Sequence, residues 1–143
     1  MFRRILVPLD GSALAEAVLP QATELARLHG AEVVLLRVES APDYAVAQAA
    51  EEAQHYLKGV AASLRGARVR VSTMVVLSGD AAGEILVQAE LTAADLILMS
   101  THGRSGVGRW MLGSVAEKVL RAAVTPVLLV RVPSPKLSPS GRG

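Results

Sequence analysis

Along this chain, short apolar runs alternate with longer stretches in which apolar residues recur every three or four positions. Arg4 to Leu9 (RILVPL) is the first run and predicts a strand. From Ser12 to about His29, Leu14, Val18, Ala22, Leu25 and Leu28 follow helical spacing, with Ser12 as the cap and Gly30 as the stop. Pro20 lies inside that segment and removes a backbone bond, which predicts a kink or break. Glu32 to Val38 is nearly all apolar, as a strand covered on both faces should be.

Pro42-Asp43 opens a second helix that runs to about Leu64, with Val46, Ala50, Tyr56, Leu57 and Val60 on its buried face. Arg68 to Leu77 alternates more strongly, with Val69, Val71, Thr73 and Val75 on one side, and predicts a strand nearer the sheet edge. A turn at Ser78-Gly79-Asp80 leads into a third helix, Ala81 to about Leu91, with Ile85, Leu86 and Ala89 inward. Asp95 to Met99 is a fourth strand. Ser114 caps a fourth helix that runs to about Ala123, with Val115, Val119 and Leu120 at core spacing. Pro126 to Val132 is the fifth strand. Strand and helix thus alternate four times before a last strand, which predicts an α/β fold: a five-stranded parallel sheet with helices on both faces. One domain over 1–132 follows, and the Pro/Ser/Gly composition of 133–143 predicts a flexible tail.

Composition narrows the function classes. The chain has 143 residues, enough to bury a core without staples, and no cysteine, so disulfides, thiolate metal sites and cysteine nucleophiles are excluded. The formal charge of +2 comes from Lys136 and Arg142 near the end; without them the body is neutral. With only 3% aromatic residues and no clustered basic patch, nucleic-acid binding is not expected. No apolar stretch reaches the ~18 residues of a membrane span, and the run ILVPLDGS is too short for the apolar part of a secretory leader and contains Asp10. A cytoplasmic protein with no membrane partner is expected.

The chemistry gathers in two polar loops. Ser100 to Gly113 carries Gly103, Gly106, Gly108 and Gly113 after an apolar run and ends at Ser114, where a helix begins. Small residues let backbone N–H groups approach an anion, and a helix N-terminus attracts it. No lysine precedes Ser114, so this is not a Walker A loop. His102, Arg104 and Arg109 offer charge that either neutralises phosphates or faces solvent. Trp110, Met111 and Leu112 form a lid or dock the loop on the sheet. The second loop, Asp10-Gly11-Ser12, follows the first strand; its aspartate serves as a ligand contact or as a turn residue. No metal-ligating cluster and no acid/base pair of carboxylates stands out.

The opening ILVPLDGS, the run LLRV ending at Val38, and the block LILMSTHGRSGVGRWMLGSVAEKVLRAAVTPVLLVRV resemble the universal stress protein family, over about Arg4 to Val132. The resemblance implies sheet order 3-2-1-4-5, a Rossmann-like arrangement of the adenine nucleotide alpha hydrolase type. It implies ATP binding through G-x2-G-x9-G-[ST], matched by Gly103, the residues 104–112 and Gly113-Ser114, with Ser100 where the pattern has its first glycine. It places Pro8, Leu9 and Val38 along the adenine pocket and Asp10 toward the ribose and a magnesium ion. It implies a homodimer through the fifth strand, Val127, Leu128, Leu129 and Val130, whose uninterrupted apolar edge independently invites pairing. The expected role is stress response through nucleotide-dependent state and dimer surface. The alternatives are a dimeric interaction module that binds no ATP, with an unidentified protein partner, and a weak ATPase or nucleotidyl- or phosphoryl-transfer enzyme.

Overall fold

The computed structural model describes residues 1–102, 104–105, 109–110 and 113–132, with the backbone alone at 102, 104–105 and 109–110. In chain order the elements are β1 (Arg4–Pro8), α1 (Ala13–Glu16), α2 (Leu19–His29), β2 (Glu32–Glu39), a 3-10 turn (Asp43–Ala45), α3 (Val46–Gly66), β3 (Arg70–Leu77), α4 (Ala81–Leu91), β4 (Leu96–His102), β5 (Arg104–Ser105), β6 (Arg109–Trp110), α5 (Ser114–Ala122) and β7 (Val127–Val132). The main sheet has the order β3-β2-β1-β4-β7 and every neighbouring pair is parallel. Counted over its own five strands, this is 3-2-1-4-5, the order the resemblance implies. The edge position of β3 agrees with its alternating pattern.

Side chains along a strand point alternately to the two sheet faces, so the sheet feeds two cores. Ile5, Val7, Val33 and Leu35 pack with Ala22 of α2 and Leu57 of α3 on one face. Leu6, Val34, Leu36 and Ile97 pack with Ile85 of α4 and Val119 of α5 on the other. Those strand residues are 0–3% exposed. Covering both faces explains why β2 reads as a continuous apolar run.

β1 and β4 are neighbours over a short register only, Ile5 opposite Leu96 and Leu6 opposite Ile97. At their amino ends the Asp95 carboxylate accepts from the Arg3 and Arg4 amides at 2.8 and 3.0 Å, and the Asp95 amide donates to the Arg4 carbonyl at 3.0 Å. Toward their carboxyl ends the two strands no longer pair. The chain after β1 enters α1 and α2 on one face, whereas the chain after β4 reaches α5 on the other.

The helix expected from Ser12 to His29 is two helices. Pro20 falls in the first turn of α2, where its missing N–H costs nothing, and Val18 caps that helix with no side-chain bond. α1 is left as a four-residue piece. Leu28, Leu120 and Val46 are not in the core, at 79%, 47% and 37% exposure. The buried stripe of α2 runs through Ala22 and Ala26, so Leu28, two residues on, points away from the sheet. Leu120 is likewise turned off the Ala116–Val119 stripe of α5, and burial along α3 begins only at Ala53. β3 starts at Arg70 because Arg68, at φ 67°, still belongs to the turn that closes α3. β4 continues past Met99 to His102.

α1 is tied to the layer beneath it by one side-chain bond: the Tyr56 hydroxyl of α3 donates to Glu16 Oε2. Burial, then the bond to Glu16 and its charge, push that hydroxyl well above the ordinary tyrosine value of about 10. The folded chain therefore keeps a proton that the unfolded chain gives up as pH rises through about 10. Stability from this group is full below that pH and declines above it.

Two outcomes follow. Pro20→Ala is neutral or destabilises by up to ~1 kcal/mol in urea unfolding, because the proline sits where its geometry fits; a gain near the ~3 kcal/mol of an interior helix proline would mean a continuous helix. Stability measured from pH 9 to pH 11 declines less steeply in Tyr56→Phe than in the parent; parallel slopes would contradict the assigned Tyr56 environment.

Candidate functional site

A cleft of about 290 Å³ opens where β1 and β4 part, at the carboxyl edge of the sheet. In open α/β sheets this reversal of strand order is where ligands bind. Pro8, Leu9 and Asp10 line it from the end of β1, Val38 from β2, Ser100 and Thr101 from β4, and Gly113 and Ser114 from the start of α5. The structure thus brings together seven of the residues singled out from the sequence: Pro8, Leu9, Asp10, Val38, Ser100, Gly113 and Ser114. Gly103 and Gly106 lie outside the described residues, as do Gly108, Met111 and Leu112. His102, Arg104, Arg109 and Trp110 are described by backbone only, so the expectations on their side chains are outside the description too. The backbone adds one feature: Arg104–Ser105 pairs antiparallel with Arg109–Trp110, making a short hairpin within the glycine-rich segment.

Asp10 is exposed at the rim of the cleft. Its Oδ1 accepts from the Ser12 amide at 2.9 Å and from the Ser12 hydroxyl at 2.6 Å. Ser12 Oγ in turn accepts from the Ala15 amide at 3.1 Å and caps α1. The carboxylate–hydroxyl contact is therefore part of a turn and a cap, and it is not an activated nucleophile. These bonds leave the second Asp10 oxygen unused.

The cap of α5 differs from expectation. Gly113 is the N-cap, extended at φ −64° and ψ 154°, and its carbonyl accepts from the Glu117 amide at 2.9 Å. Ser114 is the first helical residue, and no side-chain bond caps the helix. A glycine cap offers no acceptor for the first-turn amides. Those amides, with the positive end of the helix dipole, face the cleft lined by Gly113, Ser114, Val115 and Ala116.

Ser100 lies in β4, in register with Val130, and among the described residues positive φ outside glycine occurs only at Arg68 and Ala93. Serine stands there without backbone strain, where the resemblance implies the first glycine of the pattern.

Among the described residues the polar side chains on the lining are one carboxylate, Asp10, and four hydroxyls, Ser12, Ser100, Thr101 and Ser114; the other described lining residues are mostly apolar. Such a surface accepts a flat apolar group on Leu36, Val38 and Ile85, hydroxyls on Asp10, and an anion at the start of α5. Among the described residues no group of three or more His, Cys, Asp or Glu could hold a metal ion.

Sequence reasoning missed several contributors, among them three residues on α4 and β2. Ala81 and Ile85 of α4 close one side of the cleft, although Ile85 carried only a core signal. Behind the Asp10 turn, the Arg37 guanidinium lies against Gly11, which has φ 88°; a Cβ on that glycine would stand 3.2 Å from Arg37 Nη1. Arg37 also pairs with Glu39 at 2.8 Å and lies 4.9 Å from the Tyr56 ring centroid. The available signal was a lone arginine within the apolar run VVLLRV.

Comparison with known proteins agrees with this architecture. The profile of the universal stress protein family matches residues 1–131. Universal stress protein MJ0531 of Methanocaldococcus jannaschii is 34% identical over 144 residues, covering 93% of this chain and 84% of that protein. The solved structure of hypothetical protein MJ0577 superposes with a TM-score of 0.80 at 28% identity, covering 94% of this chain and 99% of that one. The universal stress protein from Archaeoglobus fulgidus in complex with dAMP superposes at 0.68, with 25% identity and coverage of 90% and 97%. This chain belongs to the universal stress protein family.

Proposed function

We propose that the cleft binds an adenine nucleotide, ATP with magnesium, and that the protein acts in the stress response as a cytoplasmic homodimer whose state depends on the ligand. One observation carries this reading: the cap of α5, which has no side-chain bond, and Asp10, with one carboxylate oxygen outside its turn bonds, line the same cleft across the parted strands. The base would lie against Val38 and Leu9, the ribose hydroxyls would donate to Asp10, and the phosphates would meet the amides at Gly113 and Ser114. A magnesium ion would arrive with the phosphates, held mainly by them and by water, since Mg²⁺ uses few protein ligands in such sites. The complex of the Archaeoglobus fulgidus relative with dAMP supports the adenine-nucleotide class. His102, Gly103, Arg104, Gly106 and Arg109 are proposed as further phosphate contacts on the sequence pattern alone.

The dimer is proposed through β7. Its partner in the sheet is β4 on one side, and Leu128 is 42% exposed. An apolar edge strand is a ready template for a second copy.

Calorimetric titration with Mg-ATP is expected to show binding to the parent protein, with Ser100→Gly at least as tight. Asp10→Asn keeps the acceptor for Ser12 but replaces the free oxygen with a donor, and it should weaken binding about tenfold, the scale of one lost bond to a charged group. Heat with no saturable component for both parent and Ser100→Gly would remove the ligand and leave the dimeric interaction module. Steady phosphate release from Mg-ATP would instead favour the weak ATPase. Separately, sedimentation equilibrium should give a dimer for the parent and a monomer for Leu128→Asp; equal masses would argue against β7 as the interface.

A further inference from the structure

Beyond Leu9, whose amide donates to the Leu36 carbonyl at 2.8 Å, the bonds of the turn that bears Asp10 are local. α1 is only four residues long and is separated from α2 by the break before Pro20. Yet Leu14 and Ala15 of α1 line the cleft together with Asp10 and Ser12. α1 packs on β4, and a brace behind it comes from β2 and α3. Arg37 leaves the sheet on the face opposite Leu36 and Val38, so it lies behind the wall and outside the cleft lining. Its guanidinium lies against Gly11, pairs with Glu39 and stands over Tyr56, and its side chain is 19% exposed. Tyr56 bonds Glu16 at the end of α1.

We propose that Arg37 and Tyr56 are positioning residues for the cleft: together with Glu16 they brace α1 and the Asp10–Ser12 turn, and so fix how far the Asp10 carboxylate reaches toward a bound ligand. The consequence for ligand affinity rests on the nucleotide reading of the cleft; the brace itself does not. Two forces are involved. The flat guanidinium fits against Gly11 because that residue has no Cβ, so a side chain at 11 would displace it or the turn. Arg37 also supplies positive charge beside Glu39, with Asp10 and Glu16 grouped around the same Tyr56 hydroxyl. Without it, like charges push the turn outward. Arginine suits this place better than lysine, since its plane packs on the glycine and the ring at once. Neither residue touches the cleft, so each acts through Asp10 and α1.

The test uses the full chain, with Tyr56→Phe and Arg37→Gln as variants and two readouts. In amide hydrogen exchange without ligand, the amides of Ala15, Glu16 and Ala17, bonded to Ser12 Oγ, Ser12 O and Leu14 O, should exchange about tenfold faster in Tyr56→Phe. The amides of β2 and of the Ala53–Leu64 part of α3 should stay within about twofold of the parent, which separates a brace from general loosening. In Mg-ATP titration both variants should bind about five- to tenfold more weakly than the parent. Unchanged exchange at α1 in both variants, or an equal rise throughout β2 and α3, would overturn the brace. A parent protein that binds no ATP would overturn the nucleotide reading, while the exchange data alone would still decide the brace.

Discussion

Everything at the ligand end of this molecule depends on two neighbouring strands being held together at one end only. The Asp95 carboxylate takes the amides of Arg3 and Arg4 and fixes β1 beside β4 at their amino ends. Two residue pairs later their register ends. The connections that follow go to opposite faces, so no helix fills the gap between them. The opening is thus a product of topology, and loop sequence only decides what lines it. Deep burial of Ile5, Leu6, Ile97 and Leu98 makes the hinge of this opening rigid.

The lining divides the work by chemistry. The sheet supplies apolar walls, α5 supplies amide donors and a dipole, and β1 supplies a single carboxylate. The carboxylate is also the most weakly built part. It sits on a turn whose own bonds are local, from Asp10 to Ser12 and from Ser12 to Ala15. Its longer-range support is the packing of α1 on β4 and a second layer of charged and aromatic groups between α1 and α3 on the same face of the sheet.

Much of this was legible in the sequence because burial on both faces leaves a strong mark. Apolar runs such as VVLLRV cannot be confused with a half-exposed strand, and their alternation with helical spacing defines a parallel sheet. The break at Pro20 was legible as a disturbance, but its form was not. A proline is costly inside a helix and comfortable in its first turn, and only the packing of Val18 and Ala22 decides which applies. The helical cap at Ser114 was misassigned because serine and glycine both stop and start helices; backbone angles at Gly113 settle it. Ser100, which stands where the resemblance has its first glycine, is an ordinary strand residue. Arg37 and Tyr56 were invisible as site residues because their contacts join β2, α1 and α3, a coincidence in space that no spacing along the chain encodes.

All five strands of the main sheet run the same way, and this has a practical consequence for handling the protein. β7 ends at Val132, opposite His102, at the sheet margin where the cleft opens. Met1 and Phe2 lie at the far margin, where the Phe2 amide donates to His29 Nδ1 at 3.1 Å. An affinity tag or surface tether attached ahead of Met1 leaves the mouth of the cleft facing solution, whereas a fusion made directly after Val132 emerges beside it and competes for the same space.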